Sequence, residues 1–223
     1  MIVTIDGPAG AGKSSIAKQV AQRLGFEFLD TGAMYRAVTL SALRSNLDLS
    51  DGDALVHFVR GVELSWDHER ILLFGEDVSE QIRTPEVTKS IRYVADLPAV
   101  RDLLSSLQRQ FAKGRDIVTE GRDQGTDVFP DAQCKVFLTA SPQERARRRQ
   151  AQLAALGRIM SVEEILETQN QRDLEDSSRD VGRLRAAEDA IVVQSDGMSP
   201  DEVLHEVLRI VNQAVERYQI ELR

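Results

Sequence analysis

Gly7-Pro8-Ala9-Gly10-Ala11-Gly12-Lys13-Ser14 fits the pattern G-x-x-x-x-G-K-[ST], and it follows directly on the apolar run Ile2-Val3-Thr4-Ile5. That run is short and rich in β-branched residues, so it reads as a buried strand. Glycines let the backbone curl until several N–H groups point at one phosphate, and the helix that follows adds the positive end of its dipole. Lys13 supplies a point charge, and Ser14 supplies a hydroxyl for Mg²⁺. The stretch predicts strand, loop and helix, with Gly7, Pro8, Ala9, Gly10, Ala11, Gly12, Lys13, Ser14 and Ser15 against a nucleoside triphosphate.

Working outward, Ile16, Val20 and Leu24 with Ala17 and Ala21 recur at helical spacing, and Gly25 stands where a helix commonly ends. Further short apolar runs at 26–29, 117–119, 135–139 and 190–194 read as buried parallel strands. Ser141-Pro142-Gln143-Glu144, Ser161-Val162-Glu163-Glu164 and Ser199-Pro200-Asp201-Glu202 each match a capping box, so helices start at all three places. The last presents Val203, Val207, Val211 and Ala214 on one face. Strands alternating with helices predict an α/β protein, a doubly wound parallel sheet of about five strands with helices on both faces.

Two segments interrupt this rhythm. Val62-Glu63-Leu64-Ser65-Trp66 and Arg70-Ile71-Leu72-Leu73-Phe74, separated by Asp67-His68-Glu69, predict a hairpin within an inserted small subdomain at about 61–95. A charge-dense stretch with little apolar face beyond Ile165 and Leu166 predicts a helical lid at about 150–185. The core of a single domain then comprises about 1–60, 96–150 and 186–223.

The chain has 223 residues, 42% hydrophobic and 29% charged, which suffices for one full core. Its formal net charge of -8 excludes a general nucleic-acid-binding surface, so clustered arginines need a more local reason, such as a small anion. One cysteine, Cys134, excludes an internal disulfide framework and a cysteine-based zinc site. A strand beginning at Ile2 leaves no room for a secretory leader, and no run reaches membrane-spanning length. We therefore expect a cytoplasmic monomer without nucleic-acid or membrane partners. His57, His68 and His205 lack metal-ligand spacing, and Trp66 and Tyr218 read as packing residues.

In an open α/β sheet, ligands collect outside the carboxyl ends of the strands. Two polar, glycine-containing loops fall there: Asp30-Thr31-Gly32-Ala33-Met34-Tyr35-Arg36 after the second strand, and Glu120-Gly121-Arg122-Asp123-Gln124-Gly125-Thr126 after the third. An arginine fork matches a phosphate bidentately, so Arg36 and Arg122 point to an acceptor that itself carries a phosphate. Asp123 fits either of two roles, a structural partner for Arg122 or an acceptor for an exocyclic amino group such as N4 of cytosine.

These segments together resemble the bacterial cytidylate kinase family. The resemblance begins at Ile5-Asp6-Gly7 through Ser14, then runs through Leu29-Asp30-Thr31 to Arg36. It continues with Gly75-Glu76-Asp77-Val78 and Ile82-Arg83-Thr84, then with Glu120 to Thr126 and Val128-Phe129-Pro130-Asp131-Ala132. Its last segments are Arg172-Asp173, Asp176-Ser177 and Arg179, so that nearly the whole chain is covered in the family's order. It implies transfer of the γ-phosphate of ATP to CMP or dCMP with Mg²⁺. By position it implies that Thr31, Arg101 and Asp123 contact the cytosine, that Arg36, Arg122 and Arg179 hold the acceptor phosphate, and that Arg172 and Asp176 contact the sugar. The 61–95 insertion corresponds to the family's enlarged monophosphate-binding subdomain. One departure follows Arg179, where Asp180-Val181-Gly182-Arg183-Leu184 stands in place of an Ala-Pro-Leu-like segment.

The attacking phosphate oxygen is already ionised, so such a reaction needs positioning and charge neutralisation rather than a general base. Lys13, Arg122 and Arg179 are the expected catalytic residues, Ser14 the metal ligand, and Glu120 or Asp6 the group that orders metal-bound water. Arg145, Arg147, Arg148 and Arg149 are candidate lid arginines, though four in five positions cannot all face one way on a helix. The alternatives are a P-loop kinase for another small acceptor (UMP, AMP or a metabolite such as shikimate) and a nucleotide-dependent switch, which would bind the triphosphate without transferring it.

Overall fold

The computed structural model describes residues 1–67, 70–155 and 157–221, with the side chain of Glu221 excluded. His68 and Glu69 of the expected hairpin turn lie outside the described residues. In chain order the elements are β1 (Ile2–Asp6), α1 (Lys13–Leu24), β2 (Glu27–Asp30), α2 (Thr31–Arg44), α3 (Gly52–Val59), β3 (Leu64–Asp67), β4 (Arg70–Leu73) and β5 (Glu76–Asp77). They continue as α4 (Pro85–Ala95), α5 (Pro98–Ala112), β6 (Ile117–Gly121), β7 (Cys134–Thr139), α6 (Pro142–Ala155), α7 (Val162–Ser178), β8 (Ile191–Gln194) and α8 (Pro200–Glu221). The fold is a doubly wound α/β sheet of five strands in the order β2-β6-β1-β7-β8. The pairs β1/β6, β1/β7 and β7/β8 are all parallel. All five expected strands form, each within a residue or two of its predicted ends.

Two compact units divide the chain, Met1–Phe28 with Gly114–Arg223, and Leu29–Lys113. In the first, period-two alternation sorts β1. Val3 and Ile5 join the core, while Thr4 and Asp6 turn to the opposite face, and all four are buried. The core side is closed by α1, through Ile16, Ala17, Val20 and Ala21, and by α8, through Val203, Leu204, Val207, Ile210, Val211 and Ala214. The valine stripe read from the sequence of α8 is thus its buried face. All three expected helix starts carry a serine cap, with the full reciprocal capping box at Ser161 with Glu164 and at Ser199 with Glu202.

The second unit has its own core around Leu29, Met34, Val38, Leu55, Ile71, Ile82, Val94, Val100 and Leu104. β3 and β4 form the expected antiparallel hairpin, in the register Leu64 to Leu73 and Trp66 to Ile71. A two-residue strand, β5, extends it beyond what the sequence indicated. Gly75, with φ of 80°, makes the sharp turn into β5 that side-chain-bearing residues rarely adopt. Among the described residues no helix is long and apolar enough to cross a membrane.

The bend from β1 into the loop is set by one close approach. Gly7 has φ of 148°, and a Cβ built on it would lie 2.0 Å from the carbonyl oxygen of Leu138 in β7. No side chain fits between the two backbones. Gly7→Ala is therefore expected to lower stability by roughly 3 kcal/mol and to abolish triphosphate binding. Gly197→Ala, where nothing lies within 4 Å of a Cβ, is expected to cost only the left-handed backbone penalty of about 1–2 kcal/mol. Thermal melts and nucleotide titrations of the two variants compare these directly.

Candidate active site

α1 begins without a side-chain cap. Its N-cap is Gly12, at φ of 92°, and its first turn holds no acidic residue. By contrast α2, α3, α4 and α7 are capped by Asp30, Asp51, Thr84 and Ser161, while α5, which opens with Pro98, shares the lack of a side-chain cap. The first-turn N–H groups of α1 are therefore left to an external anion, which is what a phosphate loop requires. Gly10, at φ of 78°, and Gly12 supply left-handed turns that keep those N–H groups converging.

Lys13 is buried and donates from Nζ to the carbonyl oxygen of Pro8 at 2.9 Å, so its ammonium folds back over the loop. Burial pushes its pKa down to about 7, and the Arg122 charge adds to that, with Glu120 opposing. Ser14 Oγ donates to Glu120 Oε1 at 2.7 Å. These two oxygens, one from the helix start and one from the carboxyl end of β6, form a donor set suited to a hard cation. Asp6 is committed elsewhere. Its carboxylate accepts from the backbone N–H groups of Gln124 at 2.9 Å and Gly125 at 2.7 Å, and burial raises its pKa to about 7 against those bonds. It therefore anchors the loop after β6 to the end of β1.

That loop carries Arg122 and Asp123 into a single π-helical turn, Gln124–Val128, a local widening often found at functional sites. The carbonyl oxygen of Asp123 accepts from Asp127 and Val128, and the Asp123 side chain is buried. Arg122 donates from Nε to Asp176 Oδ2 at 2.9 Å and from Nη1 to its neighbouring Gly121 carbonyl. Arg179 Nη2 pairs with the other oxygen, Oδ1, of the same carboxylate at 2.7 Å. Burial alone raises the Asp176 pKa, but Arg122, Arg179 and Arg172 outweigh it and hold the carboxyl below its usual range. Burial likewise opposes the charge of Arg122, and Asp176, Glu120 and Asp173 outweigh it. Arg172 belongs to the same field, since its charge acts on both Lys13 and Asp176.

The first unit thus brings together Lys13, Ser14, Arg122, Asp123, Arg172, Asp176 and Arg179 of the expected site. Thr31, Arg36 and Arg101 lie in the second unit. There Thr31 is the buried first residue of α2, and Arg36, one turn on, donates to Thr88 Oγ1 at 2.9 Å. Arg101, buried on α5, donates to the Ala95 carbonyl at 2.9 Å with its guanidinium 5.3 Å from the centre of the Tyr35 ring. Of the four arginines at 145–149, Arg145 reaches the phosphate loop, donating to the carbonyls of Ala9 at 2.8 Å and Ala140 at 3.1 Å. Arg148 is directed at Ser195, while Arg147 and Arg149 are exposed.

Asp173, named above only within the Arg172-Asp173 segment, ties α7 to the phosphate loop. Its Oδ1 accepts from the Ala9 N–H at 3.3 Å, and its Oδ2 pairs with Arg145 at 2.6 Å. The available signal was phase. Ile165, Gln169, Arg172, Asp173 and Asp176 recur at helical spacing, so the inward face of α7 continues as polar residues where its apolar face stops.

A doubly wound parallel sheet whose first strand runs through a phosphate loop into an uncapped helix defines the P-loop kinase fold. The structure of TT1252 from Thermus thermophilus shares that fold, at a TM-score of 0.51 with 20% identity over 96% of each chain. The sequence profile described as cytidylate kinase matches residues 3–213, and the chain belongs to the cytidylate kinase family. It is 66% identical over 216 residues to a cytidylate kinase of Rhodopirellula baltica, spanning 97% of this chain and 94% of that one. It is 46% identical over 209 residues to a cytidylate kinase of Caldanaerobacter subterraneus subsp. tengcongensis, spanning 94% and 93%.

The state of Lys13 yields a proton-linked prediction. A folded-state pKa of about 7, below the ordinary 10.5, leaves the side chain largely neutral at pH 8 without ligand, and a bound triphosphate raises the pKa again. Nucleotide binding at pH 8 should therefore draw up to one proton onto the protein. Binding enthalpies measured in buffers of different ionisation heat should differ accordingly, and equal enthalpies would contradict the assigned state of Lys13.

Proposed function

We propose that this chain transfers the γ-phosphate of ATP to CMP or dCMP, giving ADP and CDP or dCDP, and that it works as a cytoplasmic monomer. The observation that supports this most directly is the pair of arginines that share the Asp176 carboxylate. Arg122 and Arg179 both pair with Asp176, and the Arg122 charge acts on Lys13. A triphosphate alone engages the loop and lysine, whereas two further arginine forks match an acceptor that brings its own phosphate.

In this reading an oxygen of the monophosphate attacks the γ-phosphorus, the bond to the β-phosphate oxygen breaks, and ADP leaves. No proton need be abstracted, because the attacking oxygen is already an anion. The residues supply positioning and charge. The uncapped start of α1 and Lys13 hold the donor phosphates, and Arg122 and Arg179 bring the acceptor phosphate against them and offset the charge that develops between the two. Ser14 and Glu120 fit Mg²⁺, which would neutralise donor phosphate charge. Asp6 is less suited to that role, because both its oxygens already accept backbone N–H groups.

Thr31, Arg101 and Asp123 are assigned to the cytosine ring, Arg36 to the acceptor phosphate beside Arg122 and Arg179, and Arg172 and Asp176 to the sugar. The 61–95 segment is assigned as the monophosphate-binding subdomain and 150–185 as the lid. Asp123 suits base reading because a buried carboxylate accepts from an exocyclic amino group and rejects a carbonyl at the same place.

Release of ADP from MgATP is to be compared with CMP, dCMP, UMP, AMP, GMP and shikimate as acceptors. CMP and dCMP are expected to be strongly preferred, and Asp123→Ala to reduce the preference for CMP over UMP by about ten-fold. Turnover confined to another acceptor would overturn the base assignment, and triphosphate binding without transfer would favour a switch.

A further inference from the structure

Gln169 sits on the inward face of α7, one turn after the buried Ile165 and one turn before Asp173. It is 7% exposed. Its Nε2 stands at the phosphate loop, 2.6 Å from the position a Cβ on Gly10 would occupy. Its Oε1 is fully buried and accepts no hydrogen bond from any described residue. A buried acceptor without a donor destabilises a fold, and a methionine or leucine would fill this space without that cost. Nor is the side chain needed to dock the helix. Asp173 and Arg145 already tie α7 to the loop through the N–H and carbonyl of Ala9.

We propose that Gln169 is a contact for the donor triphosphate. Its Nε2–H donates to a phosphate oxygen seated in the loop, and its Oε1 accepts from the water that accompanies the phosphates. The choice of a carboxamide follows from the surrounding charge. Arg122 and Arg172 already act on Lys13, and another cation at Gly10 would raise that repulsion, whereas an amide donates a hydrogen bond without adding charge. A carboxamide here thus has hydrogen-bonding capacity that no described residue uses. The inference rests on the triphosphate reading of the loop and not on which acceptor is used.

The test titrates MgATP into the wild-type chain and into Gln169→Met and Gln169→Glu, with thermal melts of each protein free of ligand. Gln169→Met keeps length and volume. It is expected to bind MgATP about ten-fold more weakly, to leave KM for CMP within two-fold, and to melt at the same temperature or higher. Gln169→Glu is expected to bind still more weakly, since it faces the phosphates with a carboxylate. A Gln169→Met protein that binds MgATP as wild type does, or whose weaker binding comes with a lowered melting temperature, would overturn the proposal. Wild-type activity only with an acceptor other than CMP would sink the acceptor assignment and leave a Gln169 loss of ATP affinity standing.

Discussion

Several cations must be held within reach of one loop, and the structure depends on two aspartates of α7 to do it. Asp176 grips Arg122 with one oxygen and Arg179 with the other, while Asp173 grips Arg145 and the backbone of Ala9. Without those carboxylates the guanidinium groups would repel one another and Lys13 from a buried setting. Removing one partner of a buried pair typically costs about 3–5 kcal/mol, because the remaining charge is left uncompensated. The same carboxylates aim each fork, so orientation and compensation come from the same contacts.

The sheet supplies the fixed frame on which these charges are placed. β1, β6 and β7 run parallel, so their carboxyl ends deliver the phosphate loop, the Glu120 to Asp123 segment and the start of α6 to one edge. Gly7 against Leu138 fixes the distance between two of those ends, and Asp6 fixes the third by accepting from Gln124 and Gly125. The first turn of α1 is left without a side-chain cap at the place where a phosphate can take that role.

Much of this was legible in the sequence, for identifiable reasons. Strands and helix starts announce themselves through local rules, short apolar runs for the one and serine followed three residues later by glutamate for the other, and the five predicted strands and three predicted starts all form. The G-x-x-x-x-G-K-S pattern likewise encodes its own geometry, because each glycine answers a backbone requirement. What the sequence concealed was pairing at long range. Asp176 to Arg122 spans 54 residues, and nothing local marks one carboxylate as shared by two arginines. Asp173 and Gln169 were hidden because the inward face of α7 is polar, so a search for apolar periodicity stops at Ile165. The short β5 also escaped, since two residues carry no pattern.

The most direct test is a double-mutant cycle on kcat/KM for CMP, using Arg122→Ala, Asp176→Ala and both together. If Asp176 acts by holding Arg122 in the transfer geometry, the double variant should be little worse than the more impaired single variant, with a coupling of about 1–3 kcal/mol. Losses that simply add would mean that the two residues work independently, and would contradict the view that one buried carboxylate organises the phosphate-binding arginines.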